Sequence, residues 1–151
     1  MTAYRDNFEH LADELRVLDL LIRLRLQLMT RQSEQSQTER TVYISRKEVD
    51  WLLSATPPEA SDTALVDELN QLTAEIDGRI QDSLTEGIVL ALPMLGKLFG
   101  LSAIELRAVV ICLAPELRRK YDRLYAYLQD DITRKRPSVE LILRLLCPTE
   151  R

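Results

Sequence analysis

Glycine is scarce in this chain of 151 residues: there are four, and none sits in a phosphate-loop pattern. Such a loop needs backbone N–H groups freed by glycines, then a Lys and a Ser or Thr for magnesium. Here Gly96-Lys97 is followed by Leu98, and Ala91 stands where the first glycine belongs. Nucleotide binding by this chain is not expected. Histidine and cysteine are equally sparse, at one and two residues. His10 has no Cys or second His at ligand spacing and reads as a surface residue. Cys112 and Cys147 lie in apolar helical contexts and read as small buried hydrophobes in a reducing compartment, not as a disulfide. The pair Asp130-Asp131 has the groups for acid–base work, but with Arg134 and Arg136 close by it reads as a polar corner. No catalytic, cofactor or metal-binding residue is assigned, and the chain itself is not expected to be an enzyme.

Long apolar runs are also missing. The longest, Gly87 to Leu95, is far short of the roughly 20 residues that span a bilayer. Arg5, Asp6, Glu9 and Asp13 interrupt any leader-like run, so a cytoplasmic protein without membrane contact is expected. Positive charge is in deficit, with net charge −4, which argues against a general nucleic-acid field. The charge is uneven. Residues 59–86 set Glu59, Asp62, Asp67, Glu68, Glu75, Asp77, Asp82 and Glu86 against Arg79 alone. Residues 114–136 set Arg118, Arg119, Lys120, Arg123, Arg134, Lys135 and Arg136 against Glu116, Asp122, Asp130 and Asp131. These are two solvated helix faces that pair with each other, or else a polarised surface that steers a partner. The basic run Arg134-Lys135-Arg136 precedes a helix, as in a helix-turn-helix. However, that helix lacks the Arg, Asn and Gln set that reads base edges.

Hydrophobic residues make up 46% and charged residues 29%, an ordinary folding composition, and its periodicity is helical. Phe8, Leu11, Leu15, Leu18, Ile22 and Met29 form a 3-4 seam that skips a step at Arg25, predicting a helix from about Ala3 to Thr30, roughly 42 Å long. Such a seam packs within the chain or pairs two copies. RQSEQSQTER (31–40) has no apolar side chain and predicts a mobile loop, followed by a β-prone scrap at Thr41 to Ile44. Ser45 caps a short helix through Leu53, ended by Thr56-Pro57-Pro58. Ser61 or Asp62 opens the next, striped by Leu65, Leu69, Leu72, Ile76, Ile80 and Leu84 and weakened at Gly78. An apolar helix from about Thr85 to Phe99, kinked or restarted at Pro93, closes on Gly100. Ser102 and Glu105 form a capping box for a helix from Ala103 to Leu113, and Pro115 starts another. Ser138 starts the last, with Val139, Ile142, Leu143 and Leu146 inward. Tyr127 and Trp51 are the expected exposed aromatics. The fold class is all-α, six to eight helices with a long first one. One domain covers 1–151: a long helix (1–31), a mobile polar loop (32–44) and a helical core (45–147).

Two stretches carry a resemblance. One is Tyr43-Ile-Ser-Arg-Lys-Glu-Val-Asp-Trp-Leu-Leu53. The other runs Leu98-Phe-Gly-Leu-Ser-Ala-Ile-Glu-Leu106, Cys112-Leu-Ala-Pro-Glu-Leu117, Tyr121-Asp-Arg-Leu-Tyr-Ala-Tyr-Leu-Gln-Asp-Asp131, Thr133-Arg-Lys-Arg-Pro137 and Val139. Together they resemble the N-terminal region of the AAA+ ATPases encoded with extracellular contractile injection systems, phage-tail-like particles of bacteria and archaea. Arg118-Arg119-Lys120 departs from that pattern, where an acidic or mixed residue is more usual. The resemblance implies a winged-helix segment and then an ATPase module beyond this region. ATP and magnesium then belong to that module, and its residues map onto no position here. The break after Leu146 looks like a cut between domains. The implied function is a non-catalytic protein-interaction domain that recruits clients or docks the motor for particle assembly or cargo handling. Its implied partners are its own ATPase module, ring neighbours in a homo-oligomer, injection-system components or cargo. The contact surface would be Arg123, Tyr127, Gln129, Asp130, Asp131, Arg134 and Arg136. The alternative is a free-standing helical adaptor or oligomerisation protein held by the first helix.

Overall fold

The computed structural model describes residues 2–36, 46–53 and 61–147. Among these there are seven helices and no strand: α1 (Asn7–Ser36), α2 (Arg46–Leu52), α3 (Asp62–Thr85), α4 (Ala91–Phe99), α5 (Ala103–Leu117), α6 (Lys120–Leu128) and α7 (Val139–Leu146). The β-prone segment, the Ser45 cap and the Thr56-Pro57-Pro58 break lie outside the described residues. None of the described helices is long and apolar enough to cross a membrane.

The long first helix organises everything else. Asp6 starts it by accepting the Glu9 backbone N–H at 2.9 Å. It then runs to Ser36, past the point where the polar composition predicts a loop at 32. Arg, Gln and Glu propagate a helix well without apolar company, so polarity alone does not stop it. Two faces of α1 are buried in two different cores. Leu15, Leu18, Ile22 and Leu26 meet α2, α5, α6 and α7 through Val49, Leu53, Val110, Ile111, Tyr121, Leu124, Leu141 and Leu145. Leu26 supplies the step that the seam skips at Arg25. Val17 and Leu20 meet Leu65, Leu72 and Ile76 of α3. The seam is thus spent inside the chain, and only its first member, Phe8, stays exposed.

Polar clasps fix the orientation of these cores. Arg79 of α3 reaches Glu9 at 2.6 Å and Asp13 at 2.9 Å, under the ring of Tyr4. Lys120 and the Tyr121 hydroxyl both donate to Asp19, at 2.6 and 2.7 Å. Arg23, fully buried, holds Asp50 of α2 at 2.5 Å. His10 is buried too, at 1% exposure, beside Glu14 and the Tyr4 ring. This corrects the expected surface histidine: the network around Tyr4 covers it.

The local signals place the helix ends. Ser61 caps α3, Ser102 and Glu105 form the complete box on α5, Ser138 caps α7, and Gly100 ends α4 at φ 64°. α3 continues through Gly78 to Thr85, and the apolar helix expected from about Thr85 begins only at Ala91, with Pro93 in its first turn, where its missing N–H costs little. Pro115 behaves differently from expectation. It does not open a helix but lies inside α5, two residues before its end. A proline there leaves the carbonyl four residues back without its N–H donor. The Tyr125 hydroxyl donates to that Ile111 carbonyl at 2.6 Å and keeps it satisfied. α7 is also turned: Leu141 and Leu145 are buried, whereas Val139 and Leu143 are exposed. Cys112 is exposed and Cys147 half-buried, not the buried pair expected.

Candidate functional site

The surface expected to make contacts centres on the corner between α6 and α7. Gln129 builds that corner. Its side-chain amide donates to the Arg134 and Arg136 carbonyls at 3.1 and 2.8 Å and accepts the Ser138 N–H at 3.0 Å. Asp130 takes the left-handed conformation at φ 50°, which Asp tolerates better than most residues. Asp131 accepts from the Thr133 hydroxyl at 2.6 Å and the Thr133 N–H at 2.9 Å. These hydrogen bonds, hydroxyl first, hold its carboxyl below the usual aspartate range. Arg134 leans on Asp131 at 3.5 Å, and Arg136 pairs with Glu116 at 2.8 Å.

Five of the expected residues, Gln129, Asp130, Asp131, Arg134 and Arg136, therefore meet in one corner, where the side chains of Gln129 and Asp131 serve its own backbone. Arg123 lies apart and pairs with Glu48 of α2 at 2.5 Å. Tyr127 is a correction: it is 9% exposed and packs in the main core, because α6 buries Leu124, Tyr125 and Leu128 as well as Tyr121. Trp51 is exposed, as expected. Among the described residues, the two charged segments do not pair face to face. The basic groups find Asp19, Glu48, Glu116 and Asp131, and Arg79 of the acidic segment turns to α1.

The residues that sequence reasoning passed over are on α4. This helix, ALPMLGKLF, carries one charge, Lys97. A helix apolar on every side is normally buried on every side, yet α4 packs through one face. Leu92 is buried, and Gly96 lies against α5 so closely that a Cβ there would stand 2.9 Å from Leu106 Cδ1. The outer face is open: Leu98 is 69% and Phe99 71% exposed, with Met94 and, on α5, Ile104 also exposed. The signal was present in the sequence, since only Lys97 interrupts the apolar run from Gly87 to Gly100.

Neither the curated proteins nor the solved structures contain a match to this chain. A family model does match, and it covers residues 1–151. The resemblance described above implies a winged-helix segment lying beyond this chain; the matching model covers the chain itself. The described residues nonetheless contain no strand, so the helices alone make up the described part of the fold. The chain belongs to the family described as winged helix domain, variant.

Proposed function

We propose that this chain is a non-catalytic protein-contact domain, the N-terminal domain of an AAA+ ATPase of a contractile injection system, which recruits clients or docks the motor for assembly or cargo handling. The observation that carries the contact function is the open apolar face of α4. Met94, Leu98 and Phe99 leave large side chains in water on a helix that has almost no charge, and Ile104 in the first turn of α5 is exposed as well. Contiguous exposed apolar surface of this kind marks interaction sites in folded proteins. The ATPase assignment rests on the resemblance alone, carried by residues 43–53 and most strongly by 98–146. Placement in the cytoplasm and a ring-shaped homo-oligomer follow from the same reading.

A photo-crosslinking residue at position 98 of the native protein, expressed in its own cells, tests the contact. Discrete adducts are expected there, lost on Phe99→Glu, with none from the exposed polar position Asn70. Equal yields at 98 and 70, or none at either, would overturn it. The motor half has a separate check in the native reading frame past Arg151: a glycine-rich Lys-Ser/Thr loop is expected, and an early stop codon sinks it.

The family match favours a second reading, nucleic-acid binding. Arg118, Arg119 and Lys135 are exposed. Against it, the outer face of α7 shows Val139 and Leu143 beside an internal Glu140–Arg144 pair, a poor set for base edges. Binding to duplex DNA that weakens steeply with salt would favour this reading over the first.

A further inference from the structure

A cavity of about 160 Å³ lies between α1, α3, α4 and α5. One side is apolar, with Leu92, Leu106 and Val110. The other is polar, with His10, Thr73 and Arg107. Arg107 is the unusual member. Its Nη2 donates to Thr73 Oγ1 at 3.2 Å, but its Nη1 is buried and has no acceptor among the described residues. Nor does a carboxylate come within ion-pair distance of it there, although Glu14 and Asp77 both line the cavity. Glu14 directs one oxygen to His10 Nε2 at 3.2 Å, and Asp77 stands at the exposed rim.

We propose that this cavity binds a small monocarboxylate with an apolar body, about the size of benzoate, seated on Arg107. The planar guanidinium matches a carboxylate in geometry and charge, and it lines the cavity with no carboxylate of the described residues at ion-pair distance. The volume fits, since an apolar cavity of about 150 Å³ holds a benzene ring. Charge favours one negative unit over two: Glu14 and Asp77 already outnumber the guanidinium on the walls, so a second charge only adds repulsion. The apolar side then takes the hydrocarbon body, in the usual pattern of a small-molecule site. This inference does not depend on the contact function of α4.

Methyl-resonance NMR of the intact chain, titrated separately with benzoate, benzyl alcohol and phthalate, tests it. Benzoate should shift the methyl signals of Leu92, Leu106 and Val110. It should bind about tenfold tighter than benzyl alcohol, the difference one charge-assisted contact gives, and phthalate should leave those signals in place. Arg107→Met, with helicity checked, should reduce benzoate to the level of the alcohol. No shift with benzoate at millimolar concentration overturns the site. Equal binding of benzoate and benzyl alcohol by the unaltered chain overturns the role of Arg107, and that comparison decides the matter even where the variant does not fold.

Discussion

The α6–α7 corner and the α4 helix are opposites. The corner is rich in charge and hydrogen-bonding groups, and it uses them on itself: Gln129 ties three backbone groups, and Asp131 ties Thr133. α4 is poor in charge, and the apolar side chains of its outer face, Leu98 and Phe99, stay exposed among the described residues. Polar residues in a short connection always have nearby N–H and C=O groups to serve. Exposed Leu and Phe have no such local use. A cluster of charges is therefore weaker evidence of a contact surface than an uncovered apolar helix face.

The largest expected effect probes how far a polar group can be committed to the chain's own backbone. Tyr125→Phe removes the hydroxyl that, among the described residues, stands in for the N–H Pro115 lacks, and takes that donor from the buried Ile111 carbonyl. Unfolding free energy should fall by about 1–3 kcal/mol in urea denaturation. Pro115→Ala restores a backbone donor to that carbonyl. In this background the same Tyr125→Phe change should cost much less, giving a coupling above about 0.5 kcal/mol in the double-mutant cycle. Additive costs would mean that the hydroxyl does not replace the missing donor.

Next comes a direct contrast of the two regions. Gln129→Ala takes three hydrogen bonds from the corner and should lower stability by about 2 kcal/mol. Leu98→Glu and Phe99→Glu change exposed side chains and should each stay within about 0.5 kcal/mol of the parent. Both are read by chemical denaturation followed by circular dichroism. The contrast breaks if the α4 variants unfold the chain or if Gln129→Ala is silent.

How much of this was visible in the sequence depends on distance along the chain. The box of Ser102 with Glu105, the caps at Ser61 and Ser138, and the left-handed Gly100 are settled within four residues, and all were legible. The course of α5 past Pro115 was not, because the donor that permits it comes from Tyr125, on the following helix. α7 failed for another reason. Val139, Leu141, Ile142, Leu143, Leu145 and Leu146 spread apolar character over more than half its circumference, so periodicity cannot choose which part faces α1 and α5. The same excess of apolar residues hid the open face of α4. His10 and Tyr127 were misplaced because burial of a polar ring depends on tertiary neighbours, here Tyr4 and Glu14 for one and the main core for the other.

The smallest effect separates the two regions by acid. The Asp131 carboxyl is held below its ordinary value, first by the Thr133 hydroxyl and then by the Thr133 N–H. A carboxyl with a lowered folded-state pKa adds stability above its unfolded value, about 3.9 for Asp, and loses that contribution as pH falls through the folded value. The corner should therefore loosen below about pH 4. α4 has no carboxylate at all, so its own residues give acid nothing to titrate. In an NMR series from pH 6 to 3, the amides of residues 129–138 should move at the acid end while those of Met94 and Leu98 hold still. Asp131→Asn should flatten the corner's response, since an amide keeps a hydrogen-bond acceptor for Thr133 but does not titrate in this range. Movement of α4 in step with the corner would mean that the two regions are coupled, and the division between a self-satisfied polar corner and an independent apolar face would fail.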